Sequence, residues 1–443
     1  MKPVDIVTIE KLLQISKEGV PANAIEVARI KNSEGESLQY DIIVGKGTYT
    51  VGDKAIYIQP DYCIPQTELF KEYHMPQDDP SKSKLGKRGR IRAIKFNFQF
   101  EDGEGPIYSN GILLEYDNGQ VKKIINNLMK ESGYDNIEYL LSDINLQKEF
   151  GITKYEAEDS FDRSQHSGIT SGFWPSFMYK TDEETIQNHK SEVDRCFENS
   201  EVLSFTKKID GSSLTAISRI KPEIKEREFR VFSRKLEKKL DQTQTTGYKD
   251  GEVILHKYFS REKQMLGWYN DVTQMFYTEE EVQQFESITS VIKDAWVDTV
   301  KKDKIQDKLT AYCEKYNLQI ALRGELIGAG NKGSGNKLNM DARLPEPKIV
   351  WFGVDDLSSG FAKRLNYNNE HNPKKVCEEL DLEYTKEILS GVFSYEDIIK
   401  HCEVFFKMIK QEIGQVVEGI VIRTKYSNNL SVKVINNDYD SKN

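Results

Sequence analysis

The sequence predicts an α+β protein with two main parts, a small N-terminal β-barrel and a larger domain of strands and helices after it. Three observations lead to this prediction. Short apolar runs alternate with glycine-containing turns between about residues 24 and 115. Helical periodicity occurs in later stretches. After residue 200, several apolar strand-like runs are each interrupted by a charged residue.

The N-terminal part is predicted to cover residues 1–125. Turn signals such as Gly45-Lys46-Gly47 and Gly52-Asp53 separate its apolar runs. These runs lie at 25–30, 38–44, 49–51, 54–58, 90–98 and 111–114. About ninety residues with this spacing suit a small closed barrel of the OB type.

A basic cluster lies within this predicted barrel. Its cations are Lys82, Lys84, Lys87, Arg88, Arg90, Arg92 and Lys95, followed by Phe96, Phe98 and Phe100. Cations can follow a phosphate backbone while aromatic rings stack on bases, so the cluster is a candidate nucleic-acid-binding surface. A solvated charge run beside core phenylalanines explains the same residues equally well. The predicted contacts are Lys87, Arg88, Arg90 and Arg92, with Lys180 from the next segment.

Residues 126–195 are predicted to be a linker with a helical lead-in. A helical pattern covers 137–150, a polar loop covers 158–164, and an aromatic cluster follows at 173–177. Thr181 or Asp182 is a plausible N-cap for a further helix that carries Ile186, His189 and Val193 on one side.

Composition limits the class of protein. The chain has 443 residues, enough for two or three domains, with 38% hydrophobic and 30% charged residues. A net charge of −9 argues against indiscriminate binding to nucleic acid or anionic membrane. The five cysteines are scattered without a Cys-x-x-Cys pair, which indicates neither a disulfide framework nor a zinc site. Without a leader or membrane-length apolar run, we expect an intracellular, cytoplasmic protein.

The central feature of the sequence is Lys208, followed by Ile209, Asp210 and Gly211 between two apolar runs. This pattern predicts two strands that meet at a tight Asp-Gly corner. A lysine there can attack phosphorus once its amine is neutral, which requires a pKa shift of about three units, or about 4 kcal/mol. Burial or a nearby cation could supply that shift. The alternative is an Asp-Gly hairpin with a solvated lysine.

Downstream, residues 229–234 alternate like a strand and should place Arg230, Phe232 and Arg234 on one face. Residues 279–316 show a helical period. Four later strands are predicted at 318–328, 348–355, 416–423 and 430–435. Glu325, Glu418 and Lys433 interrupt three of these strands, as a cleft between two sheets would require of a nucleotide site, although a strand with one wet face would show the same pattern.

This order of motifs resembles the covalent nucleotidyltransferase superfamily of ATP-dependent ligases and capping enzymes. A barrel ahead of the lysine motif and a short tail after Lys433 resemble RNA ligases of family 5. Similar, less specific stretches occur at 108–114 and 233–237. The resemblance implies an OB domain followed by an adenylyltransferase domain over 196–443, with two antiparallel sheets, flanking helices and an insertion near 240–315.

The resemblance also implies a role for each residue that matches a motif. Lys208 would form lysyl-AMP, and Asp210 would support the ribose or phosphate end of the site. Arg234 and Glu325 would contact ribose or the nucleic-acid end, and Phe352 or Trp351 would stack on adenine. Glu418 would hold Mg²⁺ or Mn²⁺, and Lys433 would bind the AMP phosphate. The implied partners are RNA ends or a nicked duplex, and a monomer is assumed.

Two positions depart from the family pattern. Ser431 stands where the family usually has a second lysine, two residues before Lys433. Val354 stands where related ligases often have phenylalanine.

Taken with the motifs that do match, the resemblance predicts an ATP-dependent RNA ligase that joins 3′-hydroxyl and 5′-phosphate ends, with a role in RNA repair. The alternatives are a DNA ligase, a guanylyltransferase that uses the same lysine, and a non-catalytic nucleic-acid-binding protein.

Overall fold

The computed structural model has a mixed α+β architecture. It describes residues 2–75, 83–133, 145–155, 170–180, 183–260, 265–328, 344–414 and 416–441. Four larger sheets, here named A to D, organise this part of the chain. None of the helices within the described ranges has the length and apolar character needed to cross a membrane.

Sheet A is the N-terminal, fully antiparallel five-stranded sheet. Its spatial order is Ile112–Glu115, Lys54–Ile58, Val4–Leu13, Ile25–Lys31 and Ser37–Gly45. The Asn110 N–H, next to one edge strand, donates to the Asp41 carbonyl of the other edge strand at 2.8 Å. The two edges of the sheet therefore lie close together, and closure into the expected OB-type barrel stays a prediction.

The central strand of sheet A, Val4–Leu13, was not expected from the sequence. Apolar side chains on both of its faces hide the alternation that identifies a strand with one wet face. Val4 and Ile6 enter one core, beneath the helix Gly119–Ser132, whereas Val7 and Ile9 enter a second core. Asn118 caps that helix by accepting from the Gln120 N–H at 2.9 Å.

Sheets B and C form the larger part of the molecule. The antiparallel sheet B has the order Thr170–Phe173, Leu236–Lys238, Arg227–Phe232, Ser212–Ile220, Ile320–Ile327, Lys348–Asp356 and Lys363–Arg364. Sheet C has the order Glu184–Thr185, Ser431–Ile435, Gly419–Thr424, Leu203–Lys208 and Glu387–Gly391. Its first pair is parallel and the others are antiparallel.

The two strands beside Lys208 therefore belong to different sheets. Leu203–Lys208 lies in sheet C, and Ser212–Ile220 lies in sheet B. The Asp-Gly corner is a connection between sheets rather than the alternative hairpin, which would pair the two strands with each other.

Helices cover the outer faces of both sheets. Ala295–Lys302, Ile305–Lys315 and Pro373–Glu379 pack on sheet B, in a core that includes Trp351 and Val354. Lys190–Glu198 and Tyr395–Ile413 pack on sheet C, around Phe205. Apolar residues of both sheets point outward to these helices. The polar alternate positions lie on the facing sides, where sheet B also carries a smaller apolar cluster with Ile217, Phe232 and Ala321.

Sheet D is an antiparallel meander between the strands and helices of sheet B. Its order is Met275–Tyr277, Met265–Asn270, Val253–Ser260, Thr243–Asp250 and Glu286–Val291. The helical prediction for 279–316 is wrong at Glu286–Val291, which pairs with Thr243–Asp250. Apolar spacing there fits a helix, but β-branched residues and pairing favour a strand.

The helical prediction holds for the last part of that stretch. Helices Ala295–Lys302 and Ile305–Lys315 contribute Val300, Ile305 and Leu309 to the core of sheet B. A buried ion pair of 3.0 Å between Lys238 and Asp294 connects the strand before sheet D to the segment after it.

The remaining elements are short. Two-residue strands lie at Ser16–Lys17, Val20–Pro21, Tyr62–Cys63 and Thr153–Lys154, and Ile94–Phe96 pairs with Ile107–Ser109. Short helices lie at Glu68–Phe70, Lys71–His74, Lys87–Gly89, Leu146–Glu149, Ile186–Asn188, Glu281–Gln284 and Asn437–Asp440.

Several expectations for the middle segment can be compared only in part. Of the helix expected at 137–150, the described residues show Leu146–Glu149. The proposed caps Thr181 and Asp182, the polar loop 158–164 and Lys82 lie outside the described residues. The next longer helix begins at Lys190, so it carries Val193, whereas Ile186 and His189 precede it and the single helix expected to carry all three is wrong.

A buried charge network stabilises the facing side of sheet B. Arg323 pairs with Asp355 at 2.6 Å and donates to the Tyr179 carbonyl at 2.9 Å. Arg364 also pairs with Asp355 at 2.8 Å. Burial opposes the charge of Asp355, but Arg364 and Arg323 outweigh it and lower the pKa of that carboxyl.

We expect Arg323→Met to lower the free energy of unfolding by about 3 kcal/mol, because it removes one partner of a buried ion pair. Urea denaturation would measure this loss. Lys302→Ala is the matched control, since it breaks an exposed pair with Glu346 and should change stability little. Equal stability of the two variants would contradict a stabilising role for the buried network.

Candidate active site

Lys208 ends its strand in sheet C directly opposite Gly419, which places it beside Glu418. The chain then crosses to sheet B through Ile209, Asp210 and Gly211. A Cβ atom on Gly211 would lie 2.6 Å from the Leu326 carbonyl oxygen, so only glycine lets the corner approach sheet B this closely. The corner fixes the lysine between the two sheets.

The polar positions of sheets B and C face each other. Alternation places Lys208, Arg423 and Lys433 on the facing side of sheet C, because their neighbours enter the outer core. The same rule places Glu325 and Phe352 on the facing side of sheet B. The Arg423 guanidinium carbon lies 5.9 Å from the centre of the Phe352 ring, which brings the two faces together.

The Lys208 amine forms an ion pair of 2.7 Å with the Glu418 carboxylate. Burial lowers the pKa of Lys208, but the carboxylates of Glu418 and Glu325 outweigh this effect and raise its pKa above the usual lysine value. The amine is therefore protonated at neutral pH. Nucleophilic attack requires a lower pKa of Lys208, whereas the surrounding carboxylates raise it.

The carboxyls around Lys208 are affected by the same burial. Burial raises the pKa of Glu325 to about 8, with Lys208 opposing the rise and Glu418 adding to it. Burial also raises the pKa of Glu418, against the effect of Lys208. Because Lys208 and Glu418 are in direct contact, we assign the proton of this pair to the lysine. The pocket holds more acidic groups than one lysine can neutralise.

Asp210 is buried and accepts a hydrogen bond of 2.6 Å from the Tyr439 hydroxyl. Tyr439 lies in the short helix Asn437–Asp440, which follows the last strand of sheet C. One oxygen of the Asp210 carboxylate therefore has a fixed partner.

The aromatic residues near 350 have different environments. Trp351 is 1% exposed and packs in the outer core of sheet B with Val354. Phe352 is half-buried on the facing side, where Arg323 pairs with Gly353 and Gly324 pairs with Trp351. Phe352 is thus the extra residue of a β-bulge, a feature that redirects side chains near sites. Of the two, Phe352 is the one available to a ligand.

The remaining predicted nucleotide contacts lie around this pocket. The charge of Arg234, in an exposed turn, lowers the pKa of Glu325. The charge of Lys433 lowers the pKa of Glu418 and of Asp61. Ser431, which departs from the family pattern, is exposed and accepts a hydrogen bond of 3.2 Å from the Arg423 side chain.

The residues predicted to bind nucleic acid do not share one environment. Lys87, Arg88 and Lys180 are exposed, and Arg92 is half-buried. Arg90 instead forms ion pairs with Asp61 at 2.6 Å and Asp440 at 2.8 Å. Its guanidinium joins the N-terminal part to the end of sheet C, and a nucleic-acid contact of Arg90 stays a prediction.

Four residues of the site were not identified from the sequence. Glu183 forms an ion pair with Arg423, and Asp61 approaches Lys208 and Lys433 closely enough for their charges to lower its pKa. Tyr439 is the fourth residue. Glu183 and Asp61 lie outside the apolar runs that predict strands, so no sequence pattern indicates where they lie in the fold. Arg423 ends the predicted strand 416–423, and Tyr439 follows the predicted strand 430–435. Each could therefore have been identified as a polar side chain in or next to a strand that carries a predicted site residue.

The acidic groups fit a divalent cation with few protein ligands. In the described ranges, no three His, Cys, Asp or Glu side chains are grouped as a metal site. Mg²⁺ commonly binds through one or two carboxylates, with water and substrate phosphates completing its shell. Glu418, with Glu325 nearby, supplies oxygen ligands of this kind.

Comparison with known proteins identifies the fold. No protein-family model and no curated protein sequence matches the chain. Solved structures of Naegleria gruberi RNA ligase do match: the form with PPi has 18% identity and a TM-score of 0.61, covering 100% of this chain and 98% of that chain. A lysine-to-methionine mutant with AMP and Mn has 18% identity and a TM-score of 0.61, covering 100% and 99%.

A third structure of the same ligase, an apo aspartate-to-alanine mutant, has 18% identity and a TM-score of 0.62, covering 100% of this chain and 98% of that chain. The likeness extends over both the N-terminal part and the two facing sheets. The chain therefore shares the fold of this RNA ligase.

The raised pKa of Glu325 predicts a dependence of stability on pH. Between about pH 4.5 and 8 the folded protein retains a proton that the unfolded chain releases, so stability falls as pH rises. Glu325→Gln removes this loss. We expect its stability relative to the native protein to increase from pH 5 to pH 9 by at least about 1 kcal/mol, since one pKa unit corresponds to about 1.4 kcal/mol.

Urea denaturation at pH 5, 7 and 9 would measure this difference. Glu346→Gln is the control, because Lys302 lowers the pKa of that exposed carboxyl. A constant difference between Glu325→Gln and the native protein at all three pH values would show that Glu325 is ionised at neutral pH.

Proposed function

We propose that the protein is an ATP-dependent RNA ligase that seals 3′-hydroxyl and 5′-phosphate ends through AMP linked to Lys208, and that it acts in RNA repair. The observation that carries this proposal is the position of Lys208. Its amine lies at the corner between two facing sheets, 2.7 Å from Glu418 and beside Glu325. An amine that attacks phosphorus must be held in a fixed position within a charged cleft of this kind.

The comparison supports the same assignment. Among the N. gruberi structures, a lysine and an aspartate two positions apart were mutated, the same spacing as Lys208 and Asp210. Other mutants of that ligase were solved with ATP and Mn. We transfer the nucleotide, the metal and the RNA substrate to this chain as parts of the proposal.

In the first reaction, the Lys208 amine would lose its proton and form a bond to the α-phosphorus of ATP. The bond from that phosphorus to the bridging oxygen would break, and pyrophosphate would leave with the electron pair. AMP would then pass to an RNA 5′-phosphate, forming a new pyrophosphate bond and freeing the lysine. Finally, a 3′-hydroxyl would attack the 5′-phosphorus and release AMP.

The residues of the pocket would divide these tasks. Phe352 would stack on adenine, and Arg234 and Glu325 would contact ribose or the RNA end. Lys433 would neutralise charge on the α-phosphate. A divalent cation held by Glu418 would cancel the carboxylate charge that raises the pKa of Lys208 and would favour the neutral amine.

RNA would reach this pocket along cations of the N-terminal part and of the segment that follows it. Lys87, Arg88 and Arg92, together with Lys180, offer charges to a phosphate backbone. The net charge of −9 makes a local basic surface necessary for such binding.

The first test is adduct formation with α-labelled ATP or GTP and Mg²⁺, without RNA, on a denaturing gel. We expect label from ATP on the native protein and none on Lys208→Ala, because the side chain that forms the bond is absent. Lys207→Ala is the matched control and should be labelled, since Lys207 points away from the facing side of sheet C.

Label from GTP alone would indicate a guanylyltransferase. Absence of label, in protein first treated with pyrophosphate to remove bound AMP, would favour a non-catalytic binding protein. With nicked substrates, sealing that does not depend on the 2′-hydroxyl at the 3′ end would indicate a DNA ligase.

A second prediction concerns the basic surface. We expect the double variant Lys87→Ala and Arg88→Ala to bind RNA more weakly and to reduce the slope of log affinity against log salt by about 1 for each phosphate that the variant no longer binds. Fluorescence anisotropy at several salt concentrations would measure the slope. The double variant Lys374→Ala and Lys375→Ala, on an exposed helix of sheet B, is the control. Equal slopes for both variants would exclude the proposed surface.

A further inference from the structure

The short helix Asn437–Asp440 contacts the lysine corner and the N-terminal part through three consecutive side chains. Its central residue, Tyr439, is buried and donates its hydroxyl proton to Asp210, two residues after Lys208. A hydroxyl that donates to a carboxylate at 2.6 Å forms a strong charge-assisted hydrogen bond. This bond restricts the direction of the second Asp210 oxygen.

The residues on either side of Tyr439 bind the N-terminal part. Asp440 pairs with Arg90 at 2.8 Å and accepts from the Ala93 N–H at 2.7 Å. Asp438 accepts a hydrogen bond from Tyr108 and lies 3.7 Å from the Lys95 amine. The helix is therefore held against residues 90–108 on both sides of the tyrosine.

The same helix is also attached to the residues that precede the strand Gly419–Thr424 and include Glu418. The Asn436 N–H donates to the Glu418 carbonyl at 2.9 Å, and the Asn436 side chain donates to the Val417 carbonyl at 3.0 Å. The Asn436 side chain also caps the helix by accepting from the Asp438 N–H at 3.0 Å. The position of Tyr439 thus depends on sheet C at one end and on the N-terminal part at the other.

We propose that Tyr439 is a positioning residue for Asp210, and that the helix Asn437–Asp440 makes the orientation of this carboxylate depend on docking of the N-terminal part. The inference rests on the proposed function, in which Asp210 supports the nucleotide during transfer to Lys208. Tyr439 would act on the reaction through its hydrogen bond to Asp210.

Tyr439→Phe tests the positioning role, because it keeps the buried ring and removes only the hydroxyl. We expect adenylylation at saturating ATP to slow by about tenfold or more, the effect of losing a hydrogen bond to a charged group, while KM for ATP changes much less. Single-turnover formation of the labelled adduct would measure the rate. Far-UV circular dichroism and urea denaturation would confirm that the variant is folded.

Tyr57→Phe is the matched control. Its hydroxyl is buried and donates to the Asn110 carbonyl at 3.1 Å, away from the lysine motif. We expect this variant to form the adduct at the native rate. A purely structural role of Tyr439 would affect the two variants alike.

Asp440→Asn tests the coupling to the N-terminal part, since it weakens the pair with Arg90 and leaves the Tyr439 hydroxyl in place. We expect Asp440→Asn to slow adenylylation as Tyr439→Phe does. The double variant should be about as slow as the slower single variant, because both changes act on the orientation of the Asp210 carboxylate. This arm also tests the inference if Tyr439→Phe fails to fold.

The outcomes separate the two proposals. A native protein that forms no adduct would refute the proposed function, and with it this inference. A native protein that forms the adduct, with Tyr439→Phe equally fast, would overturn the positioning role alone. If the effects of Tyr439→Phe and Asp440→Asn multiply, the two residues act independently and the coupling is overturned.

Discussion

The ion pair between Lys208 and Glu418 is the interaction on which the arrangement of the site depends. Two groups 2.7 Å apart, both mostly removed from water, require partners because an isolated buried charge is costly. That requirement joins the corner after Leu203–Lys208 to the strand Gly419–Thr424. It also keeps the lysine protonated, and a protonated amine cannot attack phosphorus.

The excess of acid around that lysine explains the cations on the facing sheets. Glu325 and Glu418 are half-buried, and Asp210 lies near them. Arg423 compensates Glu183, while the charge of Lys433 acts on Glu418 and Asp61. By contrast, Arg323 and Arg364 both pair with Asp355 on the same face of sheet B. The facing sides therefore hold one group of charges that pair with each other and another group that surrounds the nucleophile.

Local patterns predicted many strands but not their partners. The runs around 320, 350, 420 and 432 are strands, because apolar alternation is a local property. The separation of the two strands beside Lys208 into different sheets depends on pairing with Gly419–Thr424 and Ile320–Ile327, which are distant in sequence. For the same reason, a count of cations identified a basic cluster, whereas only the fold shows that Arg90 is paired with Asp61 and Asp440.

Arg90 pairs with two carboxylates, and these pairs hold the N-terminal part against the end of sheet C. Burial opposes the charge of Asp61, but Arg90 and Lys433 outweigh it and lower its pKa. Burial and then Asp61 raise the pKa of Asp440, against the effect of Arg90. Asp61 accepts hydrogen bonds from two Arg90 nitrogens, whereas Asp440 accepts from one Arg90 nitrogen and from the Ala93 N–H. Because Asp440 is adjacent to Tyr439, these contacts hold the N-terminal part beside the residue that donates to Asp210.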